Sequence, residues 1–366
     1  MNKGYLVLEN GAVFAGHLQE YRGQPIAGEA VFNTSMNGYQ EIITDPSYAG
    51  QILAFTYPCI GNYGFGDYGF ESERPSLQAI VVKEMNEEDG HYEAKWTFGQ
   101  FIKKYGIPCI NGIDTRRLTR VLRMEGSMGA VITDSIDDFD GLINEAQRGR
   151  GFINHDLITQ VSIKTIQEYG IGDQRIVLWD FGSKRNIINC LVSRGCKVIA
   201  VPYHTSAEKI MNINPDGIVL SNGPGNPQTY QYIVKEIAKL SAQFPMMGIC
   251  LGHQLLAKSL GANTYKMKFG HRGGNHPVKD LRTGQCYITS QNHGYAVDVK
   301  SLNKNVTVSH INLNDHTIEG ICHNKLPLMS VQFHPEAAPG PQDTENLFDV
   351  FLRLVNRQSN SYMRCI

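Results

Sequence analysis

A cysteine held between two glycines, where an apolar run becomes a helical pattern, constrains this chain more than any other feature. Met246-Met247-Gly248-Ile249-Cys250-Leu251-Gly252-His253-Gln254-Leu255-Leu256 reads as a strand that delivers Cys250 into a sharp turn and then a helix. Such a turn strains the backbone at its apex and leaves no room for neighbouring Cβ atoms, a need that Gly248 and Gly252 meet. The cysteine would sit at the positive end of a helix, beside unpaired backbone N–H groups. A free thiol titrates near ~8.5, so such surroundings matter for making a thiolate at neutral pH. The same N–H groups could hold an oxyanion, worth roughly 10² to 10³ in rate per donor in comparable sites. The alternative is an inert buried cysteine, the commoner fate of a lone Cys.

The surroundings of this run decide its meaning. From Arg175 onward, strands and helices alternate: strands Arg175 to Trp179, Lys197 to Pro202, Gly217 to Leu220 and Met246 to Ile249, helices Lys184 to Ser193, Ala207 to Met211 and Tyr230 to Ala242. This pattern predicts an α/β domain with a mainly parallel central sheet, in which sites form beyond the carboxyl ends of the strands. Three loops fall at that edge: Asp180-Phe181-Gly182, the elbow, and Ser221-Asn222-Gly223-Pro224-Gly225-Asn226-Pro227. The last is either a plain tight turn or a stiff turn presenting backbone N–H groups to an anion. It lacks the lysine and hydroxyl of a phosphate-binding loop.

A cysteine nucleophile needs a base, and the base needs an orienting group. Pro327 to Glu336 reads as an apolar strand delivering His334 into a proline turn, with Glu336 two residues later. Gln291-Asn292-His293-Gly294-Tyr295 adds amides and an aromatic ring beside a short strand, Tyr287 to Thr289.

The first half has a different texture. Leu6 to Leu8, Ala12 to Phe14, Glu29 to Phe32 and Gln51 to Phe55 are short extended runs between turns, predicting a β-rich N-terminal domain. Phe32 to Tyr48 reads as a turn-rich loop. Gly64-Phe65-Gly66-Asp67-Tyr68-Gly69 spells a dinucleotide fingerprint, but it runs toward Pro75 instead of a helix, so it is read as a surface loop. Thr97 to Tyr105 has helical spacing, and Asp114 or Thr115 caps a second helix, Arg116 to Met124, that ends at Gly126. Its Arg116, Arg117, Arg120 and Arg123 read as a solvated or partner-facing surface. Residues 134–174 are polar and rich in Gly and Asn. The expected division is an N-terminal domain over 1–150, a linker over 151–174 and the α/β domain over 175–366.

The 366 residues carry 34 Lys+Arg against 35 Asp+Glu, a formal charge of −1, which gives no field to attract nucleic acid. No stretch has the length of a membrane span, and the N-terminal apolar run is too short for a signal peptide, so a cytoplasmic protein is expected. The eight cysteines show no C-x-x-C pair, and neither a disulfide frame nor a metal site is expected.

Gly248 to Gln254 together with His334-Pro335-Glu336 resembles the class I glutamine amidotransferase domain. The whole chain resembles the small, glutamine-hydrolysing subunits of carbamoyl-phosphate synthetases. The likeness runs through Phe32 to Tyr48, Ile113-Asp114-Thr115-Arg116 and Asp180-Phe181-Gly182 to the stretch Met267-Lys268-Phe269-Gly270-His271-Arg272-Gly273-Gly274-Asn275-His276-Pro277. The resemblance implies Cys250 as nucleophile, His334 as base and then acid, and Glu336 as its orienting group. It implies that L-glutamine and its oxyanion are held by Ser47, Gly223, Gly225, Leu251, Gln254, Asn292, Gly294 and Tyr295, with Ser47 supplied by the other domain. It implies no cofactor here. Ammonia would pass to a large subunit that uses bicarbonate, ATP and Mg to make carbamoyl phosphate for arginine and pyrimidine synthesis. One departure is Asn226, where the family usually has aspartate after Gly-Pro-Gly.

Overall fold

A computed structural model describes residues 2–88 and 90–357. The chain forms two compact units, Met1–Leu157 and Ile158–Ile366. The division falls inside the stretch read as a linker. Within the polar stretch 134–174, for which no helix was read, the chain forms the helix Phe139–Gly151, capped by Asp138, whose side chain accepts the Gly141 N–H.

The first unit is a closed barrel of seven strands: β1 (Asn2–Leu8), β2 (Val13–Gln19), β3 (Ile26–Asn33), β4 (Gln51–Phe55), β5 (Ala79–Val81), β6 (Cys109–Asn111) and β7 (Met128–Thr133), in the order β1-β2-β6-β5-β4-β3-β7. Closure leaves no unpaired edge. Its interior is filled by Leu6, Leu8, Phe14, Ile52, Ile110 and Ile132, while Leu118 and Leu122 seat the helix Thr115–Glu125 against the same core. That helix is capped by Asp114, accepting the Arg117 N–H at 2.9 Å, and its four arginines are exposed as expected. The loop read over Phe32 to Tyr48 contains a helix, Tyr39–Thr44, and a 3-10 turn, Pro46–Tyr48. Residues 64–69 lead into no helix.

The second unit is built on one ten-stranded sheet. Its strands are β8 (Gln167–Tyr169), β9 (Gln174–Asp180), β10 (Cys196–Pro202), β11 (Gly217–Leu220), β12 (Met246–Ile249), β13 (Thr264–Asp280), β14 (Cys286–Val297), β15 (Val306–Asn312), β16 (Ile318–His323) and β17 (Leu328–Val331). They lie in the order β8-β10-β9-β11-β12-β17-β16-β15-β13-β14. The centre, β10-β9-β11-β12-β17, is parallel. The side chains of β9 alternate as a pleat requires: Ile176 and Leu178 join a core with Phe348 and Phe351, and Val177 and Trp179 join one with Ile233, Ile237 and Leu255. Helices thus cover both faces. Beyond β17 the sheet continues through antiparallel strands, of which the sequence reading foresaw only the segment at Tyr287 to Thr289.

Candidate active site

Cys250 lies between β12 and the helix Leu251–Ser259, with φ 52° and ψ −105°. Such a conformation is costly for a residue with a Cβ and persists only where the surroundings enforce it. They do so through hydrogen bonds on both sides: the Cys250 N–H donates to Val331 O at 2.9 Å, and the Gly252 N–H to Ser221 O at 3.0 Å. A Cβ on Gly248 would lie 2.6 Å from Gly252 O, and one on Gly252 would lie 2.2 Å from Leu220 O. The two glycines let strand, helix and neighbouring loop close on the cysteine, as the elbow reading requires.

The loop after β11 presses on this turn. A Cβ on Gly223 would meet Phe181 O at 2.3 Å and Leu251 Cδ2 at 3.0 Å. Gly225, at φ +95°, lies against the Tyr230 hydroxyl, where a Cβ would be 2.4 Å away. Asn226 Oδ1 accepts the Gln228 N–H at 3.0 Å, a local turn bond that aspartate could also make. The substitution therefore changes charge while that bond is kept.

His334 and Glu336 follow β17, the neighbour of β12, and both side chains are buried. The N–H of His334 donates to Ser290 O at 2.9 Å, and its Nδ1 is 2.6 Å from Glu336 Oε1. Its Nε2 makes no hydrogen bond, and Cys250 is among the groups that interact with the ring. The Cys250 thiol lies 3.5 Å from the backbone oxygen of Asn292. Burial alone favours the neutral imidazole, but the charge of Glu336 outweighs it and His334 is held well above its ordinary pKa. Glu336 is held below its own, because burial is overcome by the charges of Lys184 and His334. Thiol, imidazole and carboxylate in this order can supply a nucleophile, a proton carrier and a group that fixes the carrier's tautomer.

Lys184 is the member of this group that sequence reasoning missed. Its Nζ is 3.0 Å from Glu336 Oε1 and also donates to Ala337 O, and its side chain is 3% exposed. Its backbone N–H is held by Asn222 Oδ1 at 3.0 Å. Residue spacing gave no signal, since Lys184 and Glu336 are 152 positions apart.

Gln254, one turn after Cys250, spends both hydrogens of its amide within the protein: Nε2 donates to Tyr295 O at 3.0 Å and to Gln332 Oε1 at 2.9 Å. Asn292, Gly294 and Tyr295 lie on β14, where Arg272 of β13 pairs with Asn292. The structure thus gathers Cys250, Leu251, Gln254, Gly223, Asn292, Tyr295, His334 and Glu336 in one unit through direct contacts or shared hydrogen bonds. Ser47 belongs to the first unit, where its N–H donates to Asp45 Oδ1 at 2.9 Å. Among the described residues no helix is long and apolar enough to cross a membrane.

The chain is similar to proteins already known. Residues 177–354 match the glutamine amidotransferase class-I family, and residues 6–132 match the CPSase domain of the carbamoyl-phosphate synthase small chain. The chain is 48% identical over 360 residues to the carbamoyl phosphate synthase small chain of Staphylococcus saprophyticus, covering 97% of each. It is 46% identical over 354 residues to the carbamoyl phosphate synthase arginine-specific small chain of Bacillus subtilis, covering 96% of this chain and 97% of that one. A solved glutamine amidotransferase of Thermotoga maritima aligns with a TM-score of 0.37 at 18% identity, over 52% of this chain and 87% of its own. The chain belongs to the carbamoyl-phosphate synthase small chain family, the glutamine-hydrolysing subunits of that enzyme.

Proposed function

We propose that Cys250, His334 and Glu336 hydrolyse L-glutamine and that the ammonia feeds a large synthetase subunit. The observation that carries this is the strained, hydrogen-bonded position of Cys250 beside a buried imidazole already paired to a carboxylate.

Cys250 Sγ, its proton held on His334 Nε2, attacks the amide carbon of glutamine. The oxyanion of the tetrahedral intermediate is met by the backbone N–H groups of Leu251 and Gly223, which the packing of the two loops holds together. As the C–N bond breaks, His334 returns a proton to the departing ammonia, leaving a γ-glutamyl thioester on Cys250. His334 then takes a proton from water, which displaces the thiolate and yields glutamate. Throughout, Glu336 keeps Nδ1 as the hydrogen-bond donor and balances the imidazolium charge, while Lys184 keeps Glu336 ionised. Because the amide hydrogens of Gln254 are already engaged, its Oε1 is the group that can accept from the substrate's α-ammonium.

ATP, Mg and bicarbonate belong to the large subunit in this reading, and the carbamoyl phosphate serves arginine synthesis, pyrimidine synthesis or both. The arginine-specific Bacillus subtilis relative supports the first. The test is turnover of the purified chain alone and with a large subunit, ATP and bicarbonate, scoring glutamate and carbamoyl phosphate together. Slow hydrolysis that rises sharply with the partner and is matched by carbamoyl phosphate is expected. Fast hydrolysis indifferent to the partner would contradict the coupling.

A further inference from the structure

The mechanism leaves one buried cluster unused. His271 on β13, His293 on β14 and Glu319 on β16 each offer a ligand atom, and these atoms lie within 4.8 Å of one another. No local spacing announces the group, because its members come from three strands of the antiparallel extension.

The outward bonds identify the converging atoms. His271 Nε2 is 2.9 Å from the Asp315 carboxylate, while its Nδ1 is 3.4 Å from Glu319 Oε1. His293 Nδ1 is 2.8 Å from the carbonyl of Tyr295, which turns Nε2 inward. The second oxygen of Glu319 is held by Gln291 Nε2 at 2.9 Å. Metal-ligating histidines carry this signature, the outer ring N–H given to a carboxylate or backbone carbonyl so that the inner nitrogen is aimed at the ion. Two tetrahedral ligands about 2.0–2.1 Å from zinc stand about 3.3 Å apart, close to the observed separation of His271 Nδ1 from Glu319 Oε1.

The hydrogen-bond accounting contains a mismatch. With Nδ1–H donated to Tyr295, the lone pair of His293 Nε2 faces Gln291 Oε1 at 2.9 Å, acceptor against acceptor. Turning the Gln291 amide relieves that contact but places its oxygen against Glu319 Oε2. A cation on that lone pair, with Gln291 Oε1 as a further ligand, removes the conflict.

We propose that His271, His293 and Glu319 form a site for one zinc-like divalent transition-metal ion, which ties β13, β14 and β16 together along the strand that carries Asn292, Gly294 and Tyr295. Binding displaces the Nδ1 proton of His271 to solvent, and Gln291 Oε1 takes the fourth position.

The test is equilibrium dialysis of the full chain against Co²⁺, with metal content and visible absorption as readouts. It is done in a Cys250→Ala background so that the active-site thiol cannot supply a sulfur ligand. One equivalent of cobalt with the absorption of a nitrogen/oxygen tetrahedral site is expected. His271→Asn should weaken binding by at least about 100-fold, and Asp315→Asn, which removes only the outer carboxylate, by about 10- to 100-fold. Circular dichroism establishes that each variant is folded, and Asp315→Asn decides if His271→Asn is not. No bound equivalent, or affinity unchanged in the folded variants, overturns the proposal.

Discussion

In the barrel, the partners of the buried Glu29 carboxylate include two neutral donors, Gln51 Nε2 and Ser127 Oγ, each at 3.0 Å. In the sheet, the buried carboxylate of Glu336 sits between two cationic partners, Lys184 at 3.0 Å and His334 at 2.6 Å. Neutral donors satisfy a carboxylate without giving it a proton to move. Coupled charges in a dry setting make the protonation of each group depend on the other, and a proton carrier can be built from that dependence. The lesson is that burial of an acid locates no function by itself; the company it keeps does.

Matched substitutions at the two carboxylates break the comparison most sharply. Glu336→Gln should lower kcat for glutamine hydrolysis by about 10³- to 10⁴-fold, the order seen when the third member of such a group loses its charge. Glu29→Gln should leave kcat unchanged and appear only in thermal stability, read by melting under the same buffer.

The same pair makes a pH signature. His334 is raised above its ordinary 6.5 by Glu336, against the effect of burial. Its contribution to stability is therefore complete below that pH and is lost as pH climbs toward the raised value. Glu336, lowered from 4.5 by Lys184 and His334 against burial, contributes above that pH, and its share is lost on acidification. Melting temperature should thus decline more steeply above pH 6.5 in the native chain than in Glu336→Gln. Equal slopes would mean that the pair is not coupled.

The smallest effect sharpens the barrel side. Asp114→Ala removes the cap of the helix Thr115–Glu125 and should cost about 1 kcal/mol, seen as a lower melting temperature with hydrolysis unaltered.

The elbow was legible because its requirements are local: β12 spans the predicted Met246 to Ile249, and each glycine stands where a Cβ would strike backbone. The alternation that feeds it was legible for the same reason. The helix Phe139–Gly151 was hidden by its glycines. Gly149 looks like a breaker, yet a Cβ there would lie 2.6 Å from Gly28 N, so the glycine serves close packing of helix on barrel. In β13, Gly270, Gly273, Gly274 and Pro277 likewise disguise a seventeen-residue strand whose pairing with β14 is interrupted by bulges. Cys250, His334 and Glu336 could be nominated together because each follows a strand of one α/β pattern, and the folded sheet makes those two strands neighbours. Lys184 was not, because only the folded sheet brings it to Glu336.

The most direct measurement is acid quenching of the chain during turnover of carbon-labelled glutamine, followed by mapping of the label. The account predicts a covalent γ-glutamyl group on Cys250 that chases into glutamate and is absent, together with hydrolysis, in Cys250→Ala. Glutamine turnover that persists in Cys250→Ala, with no label on the native protein, would contradict it.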